Sequence, residues 1–358
     1  MQAARALSAT WGRPVLLGTP ETLEGGVVRA QVRGGPVPGV LLKHFPEEPV
    51  RGFDDWAGAQ YLTHRGLEAV PRFLAGDVAA RFFLQEDPGP GRTLEELLRG
   101  RDTRSATGGL LATARMLGQL HASTLGAQAN YELVRQALPP RPERVRMEEA
   151  RWLLEHEDRL KRWLQAVDEP VAPGTHADLE TVARALADPG DLLAFTQGGL
   201  SPAGVLLTLG GPRLPGLGGS GMRHALHDAL LWLVTLPLPE ELRARADITH
   251  RLALSSRCAT AQVDAEWARA RATVVLARTV TLLQALSPRQ LEAESPPGGA
   301  PSLRGTLLHH LARCRESLEP LDAFTGLGPS LGRLEARLRE RWTVTPFVWP
   351  ALRAPGGG

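Results

Sequence analysis

Apolar and polar positions alternate in two early runs, GGVVRAQVRGG and GVLLKHF, each bounded by Gly or Pro. They predict a hairpin, with Lys43 near the end of its last strand. The period then changes. FDDWAGAQYLTHRG predicts a helix that an Asp opens and Gly66 closes. VPRFLAGD and RFFLQED predict two more strands, and PGPG at 88–91 a rigid connector. Beyond it the pattern is helical, in RTLEELLRG and then GLLATARMLGQLHAST. Residues 144–167 set Met147, Ala150, Leu154, Leu160, Leu164 and Val167 on one face at helical spacing. The stretch 195–220 breaks that period with β-like, Gly-rich sequence. Helical spacing returns over 222–234, 239–256, 261–286, 303–318 and 329–342. ESPPGGAPS at 294–302 predicts a flexible loop, and the closing APGGG a frayed end.

This pattern implies an α+β chain. A β-rich lobe over 1–90 precedes a helical lobe over 91–345, which carries a small hairpin at 195–220, and a tail covers 346–358. No internal repeat is visible. The layout resembles a bilobal protein-kinase-like fold.

Composition changes the picture in one respect. The hydrophobic fraction, 43%, supports a substantial core, and a net charge of +2 gives no reason to expect a nucleic-acid or membrane partner. The basic residues are almost all arginine, and Lys43 and Lys161 are the only lysines. A lysine retained in such a chain suggests a task that arginine cannot perform. Cys258 and Cys314, isolated in helical patterns, read as core thiols rather than a disulfide framework or zinc site. The N-terminus lacks the basic start and apolar run of a signal peptide, and a cytoplasmic protein is expected.

Kinase-type phosphoryl transfer needs few parts. A strand lysine grips the nucleotide phosphates and pairs with an acid on the next helix. A catalytic-loop Asp takes the hydroxyl proton, and an Asn and a later Asp hold Mg²⁺. Several landmarks resemble the aminoglycoside phosphotransferase family. Lys43 in VLLKHF matches the strand lysine. Asp55 in FDDWAGAQYL matches the helix acid, where the family usually has the longer Glu. LQEDPGPGRTLEELLRG resembles the hinge, with Glu86 and Asp87. LGQLHAST resembles the helix before the catalytic region. RHALHDALLW resembles the helix after the metal-binding loop, with His224 and Asp228 as bracing residues.

The resemblance fails where the chemistry should be. Against the family's His-Gly-Asp, two residues, Pro, one residue, Asn, the chain offers Gln197-Gly198-Gly199, then Leu200-Ser201, Pro202, Ala203 and Gly204. Anchored on His224 and Asp228, the family's Asp-Phe-Glu falls on Gly216, Leu217 and Gly218. Base and both metal ligands are thus glycine. The resemblance, with this departure, implies a degenerate kinase with no catalytic residue and no metal site, whose former cleft binds a small ligand or a protein partner. ATP without Mg is the one cofactor it leaves open, with Lys43, Asp55, Glu86 and Asp87 as the nucleotide-facing residues. The competing expectations are an active small-molecule O-phosphotransferase with relocated acids, drawn from Asp178, Glu180 or Asp191, and a ligand-free scaffold.

Other constellations are weaker. Ser220, His224 and Asp228 form a triad in letters only, with no nucleophile elbow. His224/His227 and His309/His310 lack a third ligand at metal spacing. Trp152, Trp163, Trp232 and Trp267 read as core. Gly18, Gly25 and Gly26 lack the ending of a P-loop.

Overall fold

The computed structural model describes residues 2–140, 143–292, 294 and 301–353. In chain order the elements are α1 Gln2–Trp11, β1 Leu16–Leu17, β2 Glu21–Thr22, β3 Val28–Arg33, β4 Gly39–His44, α2 Pro49–His64, β5 Phe73–Asp77 and β6 Phe82–Glu86. There follow β7 Gly91–Thr93, α3 Leu94–Arg99, α4 Thr103–Thr124, α5 Gln128–Gln136, α6 Val145–Glu155, α7 Glu157–Gln165, α8 Thr175–Ala187 and β8 Leu193–Thr196. The last are β9 Leu206–Thr208, β10 Gly211–Arg213, β11 Gly221–His224, α9 Leu226–Leu230, α10 Glu240–Ser255, α11 Asp264–Ala285, α12 Pro288–Glu292, α13 Leu303–Leu318 and α14 Leu327–Arg341. The chain is mixed α+β, with an antiparallel sheet early and helices over most of the remainder.

These elements form two compact units. One is drawn from within Met1–Leu97, Ala127–Pro142 and Phe195–Met222, the other from within Leu98–Gly126, Glu143–Ala194 and Arg223–Gly358.

In the first unit the strand order is β1-β3-β4-β6-β5, with β2 also on β3. Alternation sorts the side chains of β4 and β6 onto two faces. Val40, Phe82 and Leu84 lie on the face that packs with Leu7 of α1 in one buried cluster. On the other face Phe83 meets Trp56 of α2, with ring centroids 6.0 Å apart. Lys43, one residue on from Leu42, therefore lies on the α2 side. Both faces of β4 and β6 are covered, which is why GVLL and FFL read as near-continuous apolar runs. β10, β9 and β7 make a separate three-stranded sheet.

The second unit is helical. α11 runs through it with Trp267, Val274, Val275, Leu276 and Val280 all buried. α4 and α10 approach closely at Gly118, where a Cβ would lie 2.6 Å from the His250 carbonyl oxygen. Among the described residues no helix is long and apolar enough to cross a membrane.

Several expectations need correction. The first ninety residues hold a second helix, α1, whose one buried residue is Leu7. α2 starts at Pro49, which pre-sets the first turn, so Asp54 and Asp55 sit inside the helix and do not cap it. The face predicted over 144–167 is broken at His156 into α6 and α7, leaving Met147 and Leu154 exposed. Residues 222–224 extend a strand rather than opening a helix. Trp163, Trp232 and Trp267 are core, but Trp152 is 40% exposed. It stacks on His156 with centroids 3.6 Å apart. Within the segment expected as a tail, Trp349 and Ala351 are buried, and Ala351 accepts a hydrogen bond from Thr103 Oγ1 at 2.6 Å. The APGGG end and most of the 294–302 loop lie outside the described residues. Cys258 and Cys314 are free and buried.

Candidate functional site

Lys43 leaves the α2 face of β4 with its ammonium 5.2 Å from the centre of the Phe83 ring. Its Nζ donates to Asp55 Oδ2 at 2.8 Å and also to the carbonyl oxygen of Pro215. The other Asp55 oxygen, Oδ1, accepts from the Leu217 backbone N–H at 2.9 Å. The lysine side chain is 11% exposed and the aspartate 14%. An ammonium has three donors, and two of these are used inside the chain. The carboxylate uses both its oxygens. A strand lysine, a helix acid and the backbone of 215–217 thus form one closed polar knot.

The short Asp reaches because α2 lies very close to the loop. A Cβ at Gly58 would stand 2.7 Å from Ser220 Oγ and 3.0 Å from both Leu217 Cδ1 and Phe195 Cζ. Only glycine allows that approach. Ser220 Oγ donates to the Asp54 carbonyl at 3.2 Å. The Asp54 carboxylate accepts from Arg135 Nε of α5 at 2.7 Å, and Arg135 Nη1 donates to the Leu138 and Pro140 carbonyls. Tyr131 of the same helix donates to the Ser220 carbonyl at 3.2 Å. Sequence reasoning missed Gly58, Arg135, Tyr131 and the two backbone partners. A glycine in mid-helix is a visible signal of close packing; the backbone groups give none.

Gln197, Gly199, Gly204, Gly216 and Gly218, which the sequence aligns with the missing catalytic positions, sit in two neighbouring loops of the same unit. Gln197 Nε2 donates to the Gly216 carbonyl at 3.1 Å, bridging them. Ser201 caps the short turn Pro202–Gly204, accepting from the Gly204 N–H at 3.2 Å. At Gly204 and Gly216 an added Cβ would meet no close obstacle, and neither has a positive φ. Gly199 differs. Space is open there, but its φ is +153°, a conformation side-chain-bearing residues rarely adopt. Gly218 lies under the Arg51 side chain, whose Cγ would be 2.8 Å from a Cβ.

Mg²⁺ requires hard oxygen donors, usually carboxylates. Gly204 and Gly216 offer no side-chain donor, and the Pro215 carbonyl is spent on Lys43. The two glycines therefore do not fit the ion. Among the described residues, no three His, Cys, Asp or Glu side chains are grouped to hold a metal.

The remaining candidates are engaged elsewhere. Glu86 faces Arg72 at 3.2 Å, and Asp87 faces Arg29 at 2.8 Å. Asp87 also accepts from the Gly89 N–H. In the second unit, Asp228 Oδ2 lies 3.2 Å from His121 Nε2, and His121 Nδ1 lies 2.9 Å from His250 Nε2, all three fully buried. His224 Nδ1 accepts from the Leu226 N–H at 3.2 Å, and burial pushes its pKa down to about 3. Asp178 accepts from the backbone N–H groups of Gly326 and Leu327, both at 2.8 Å. Glu180 faces His176. Asp191 is held by Thr260 and Cys258. It stays below the usual carboxylate range because the hydrogen bonds outweigh its burial.

No family model and no curated protein matches the chain. Solved structures do. The choline kinase LicA from Streptococcus pneumoniae is 15% identical over 87% of this chain and 94% of its own, with a TM-score of 0.44. A choline kinase from Cryptosporidium parvum is 13% identical over 89% and 93%, with a TM-score of 0.47. The macrolide 2'-phosphotransferase MphH from Brachybacterium faecium is 16% identical over 88% and 98%, with a TM-score of 0.46. The architecture is kinase-like. That statement rests on the strand order, the helix between β4 and β5, and the Lys43–Asp55 pair, not on alignments at this level.

Proposed function

We propose that this chain is a pseudokinase: a kinase-like phosphotransferase framework that has lost phosphoryl transfer and works by binding a small ligand or a protein partner. One observation carries the reading. Lys43 and Asp55 are paired as the fold requires, yet they close onto the backbone of Pro215–Leu217, while the base and metal positions are glycine. Loss of a general base alone costs roughly 10²–10⁴ in rate. Loss of the metal clamp also removes neutralisation of the transferred group. Relocated acids are the poorer reading, since Asp178, Glu180 and Asp191 each have local partners.

A nucleotide bound here would have one Lys43 N–H left for its phosphates, unless it displaced the Pro215 carbonyl. Binding without metal and of low affinity follows. The experiment is a thermal-shift titration with ATP, in Mg²⁺ and in excess EDTA. Equal protection in both supports metal-free binding. Protection that needs Mg²⁺ contradicts the proposed loss of metal ligands. No protection in either leaves the partner-binding form of the proposal and rejects ATP as ligand.

A further inference from the structure

The second unit contains a cavity of about 490 Å³ that the kinase-like reading does not use. Its walls come from the end of α8, the end of β11 and the first turns of α11. Ala185, Pro189, Ala265 and Ala270 supply apolar surface. The polar lining is Asp188, His224, Thr260, Glu266, Arg269 and Thr273.

His224 is the informative member. It is 5% exposed. Its Nδ1 accepts the Leu226 N–H, which leaves the ring proton on Nε2 in the neutral tautomer. That bond on Nδ1 is its only one among the described residues. His224 lines the cavity, and its Nε2–H is not among the buried groups cut off from solvent, so it is a donor that a ligand in the cavity can reach. The hydroxyls are committed: Thr260 donates to Asp191 and Thr273 to the Arg269 carbonyl, so both present only lone pairs. At the rim, Glu266 and Arg269 make no ion pair among the described residues. Asp188 has only a 3.5 Å contact from the Gly190 N–H.

The cavity therefore offers one neutral donor within, a guanidinium and two carboxylates around it, and hydroxyl lone pairs that suit an N–H donor. We propose that it is a binding site for a small zwitterion of the amino-acid type. An oxygen of the ligand accepts from His224 Nε2–H, its carboxylate faces Arg269, and its ammonium faces Asp188 and Glu266. A simple anion would meet two carboxylates, and a simple amine would leave the Arg269 guanidinium without a counter-charge. Volumes of roughly 300–1,000 Å³ are usual for small-ligand sites. The proposal is independent of the reading of Lys43.

The test follows the His224 side-chain Nε2–H by ¹H–¹⁵N NMR while glycine, L-alanine and L-glutamine are added to the full chain, with acetate and methylamine as half-ligands. The expected result is a saturable shift with at least one amino acid, about tenfold tighter than with either half. His224→Phe keeps the backbone and removes the donor; followed by backbone shifts at Thr260 and Thr273, saturation should be lost. Arg269→Ala, at the exposed rim and safe for folding, should weaken binding about fivefold or more. No saturable shift with any of the three, or saturation unchanged in Arg269→Ala, overturns the site.

Discussion

At the scale of single residues, the account turns on how Lys43 spends its charge. Its ammonium and the Asp55 carboxylate are both largely buried, and each holds the other. Removing one partner strands the other in a poorly solvated place, which costs more than the pair contributes. Lys43→Met should therefore lower unfolding free energy by about 1–3 kcal/mol, read by urea denaturation. The double variant Lys43→Met/Asp55→Leu should recover much of that loss. If the double variant is worse by the sum of the singles, the pair is not the coupled unit described. Lys43 and Asp55 were both legible in the sequence because their spacing matched a known order of landmarks. Their backbone partners were not, since every residue has a carbonyl and sequence does not say which one a lysine will find. Asp54 was legible only as a neighbouring acid; its bond to Arg135 spans 81 positions.

At the scale of elements, small residues set how closely helices approach. Gly58 brings α2 against the loop before β11, and Gly118 brings α4 against α10. Gly118→Ala would press a methyl onto a backbone carbonyl, which cannot move as a side-chain tip can. A loss of about 1–3 kcal/mol is expected, against a gain from helix propensity of under about 1 kcal/mol. Gly58→Ala meets Ser220 Oγ and two side-chain carbons, so a similar loss should appear with weakened Lys43–Asp55 coupling in the double-mutant cycle. A stabilised Gly118→Ala would show that propensity wins and that the approach is looser. Strands 28–33, 39–44, 73–77 and 82–86 were readable from alternation and Gly/Pro punctuation. α13 fell where its period put it. The single helix expected over 144–167 was not found, because spacing does not reveal a one-residue break at His156. α1 was missed because its sequence, rich in small residues, buries a single leucine.

At the scale of the whole molecule, buried imidazoles make stability depend on acid. Burial pushes His224 and His310 down to about 3, and His250 well below its ordinary value, helped by the neighbouring His121. In the unfolded chain each takes a proton near pH 6.5. Between that value and about 3 for His224 and His310, and below that value for His250, the unfolded state binds more protons, so stability rises with pH. It is fully present above about pH 6.5 and is lost as pH falls below it. Each such histidine contributes up to about 1.4 kcal/mol per pH unit in that window. Urea denaturation at pH 7.5 and 5.5 should show a loss of several kcal/mol in total, and His310→Asn should flatten the slope. A flat profile would mean that these rings titrate freely in the folded chain. The kinase-like layout was legible because order and spacing of landmarks survive while individual residues drift. That glycines stand at 199, 204 and 216, in register with Pro202, was legible for the same reason, and the proposed loss of chemistry is drawn from it. What those glycines do was not: that Gly199 holds a φ few other residues adopt is a property of the folded loop.

The central claim, that phosphoryl transfer is gone, meets its most direct test in γ-phosphate release and transfer from Mg-ATP, with water and a panel of hydroxylated amines as acceptors. The account predicts no turnover above buffer, and no difference between the native chain and Lys43→Ala. Turnover that the native chain supports and Lys43→Ala abolishes would contradict it.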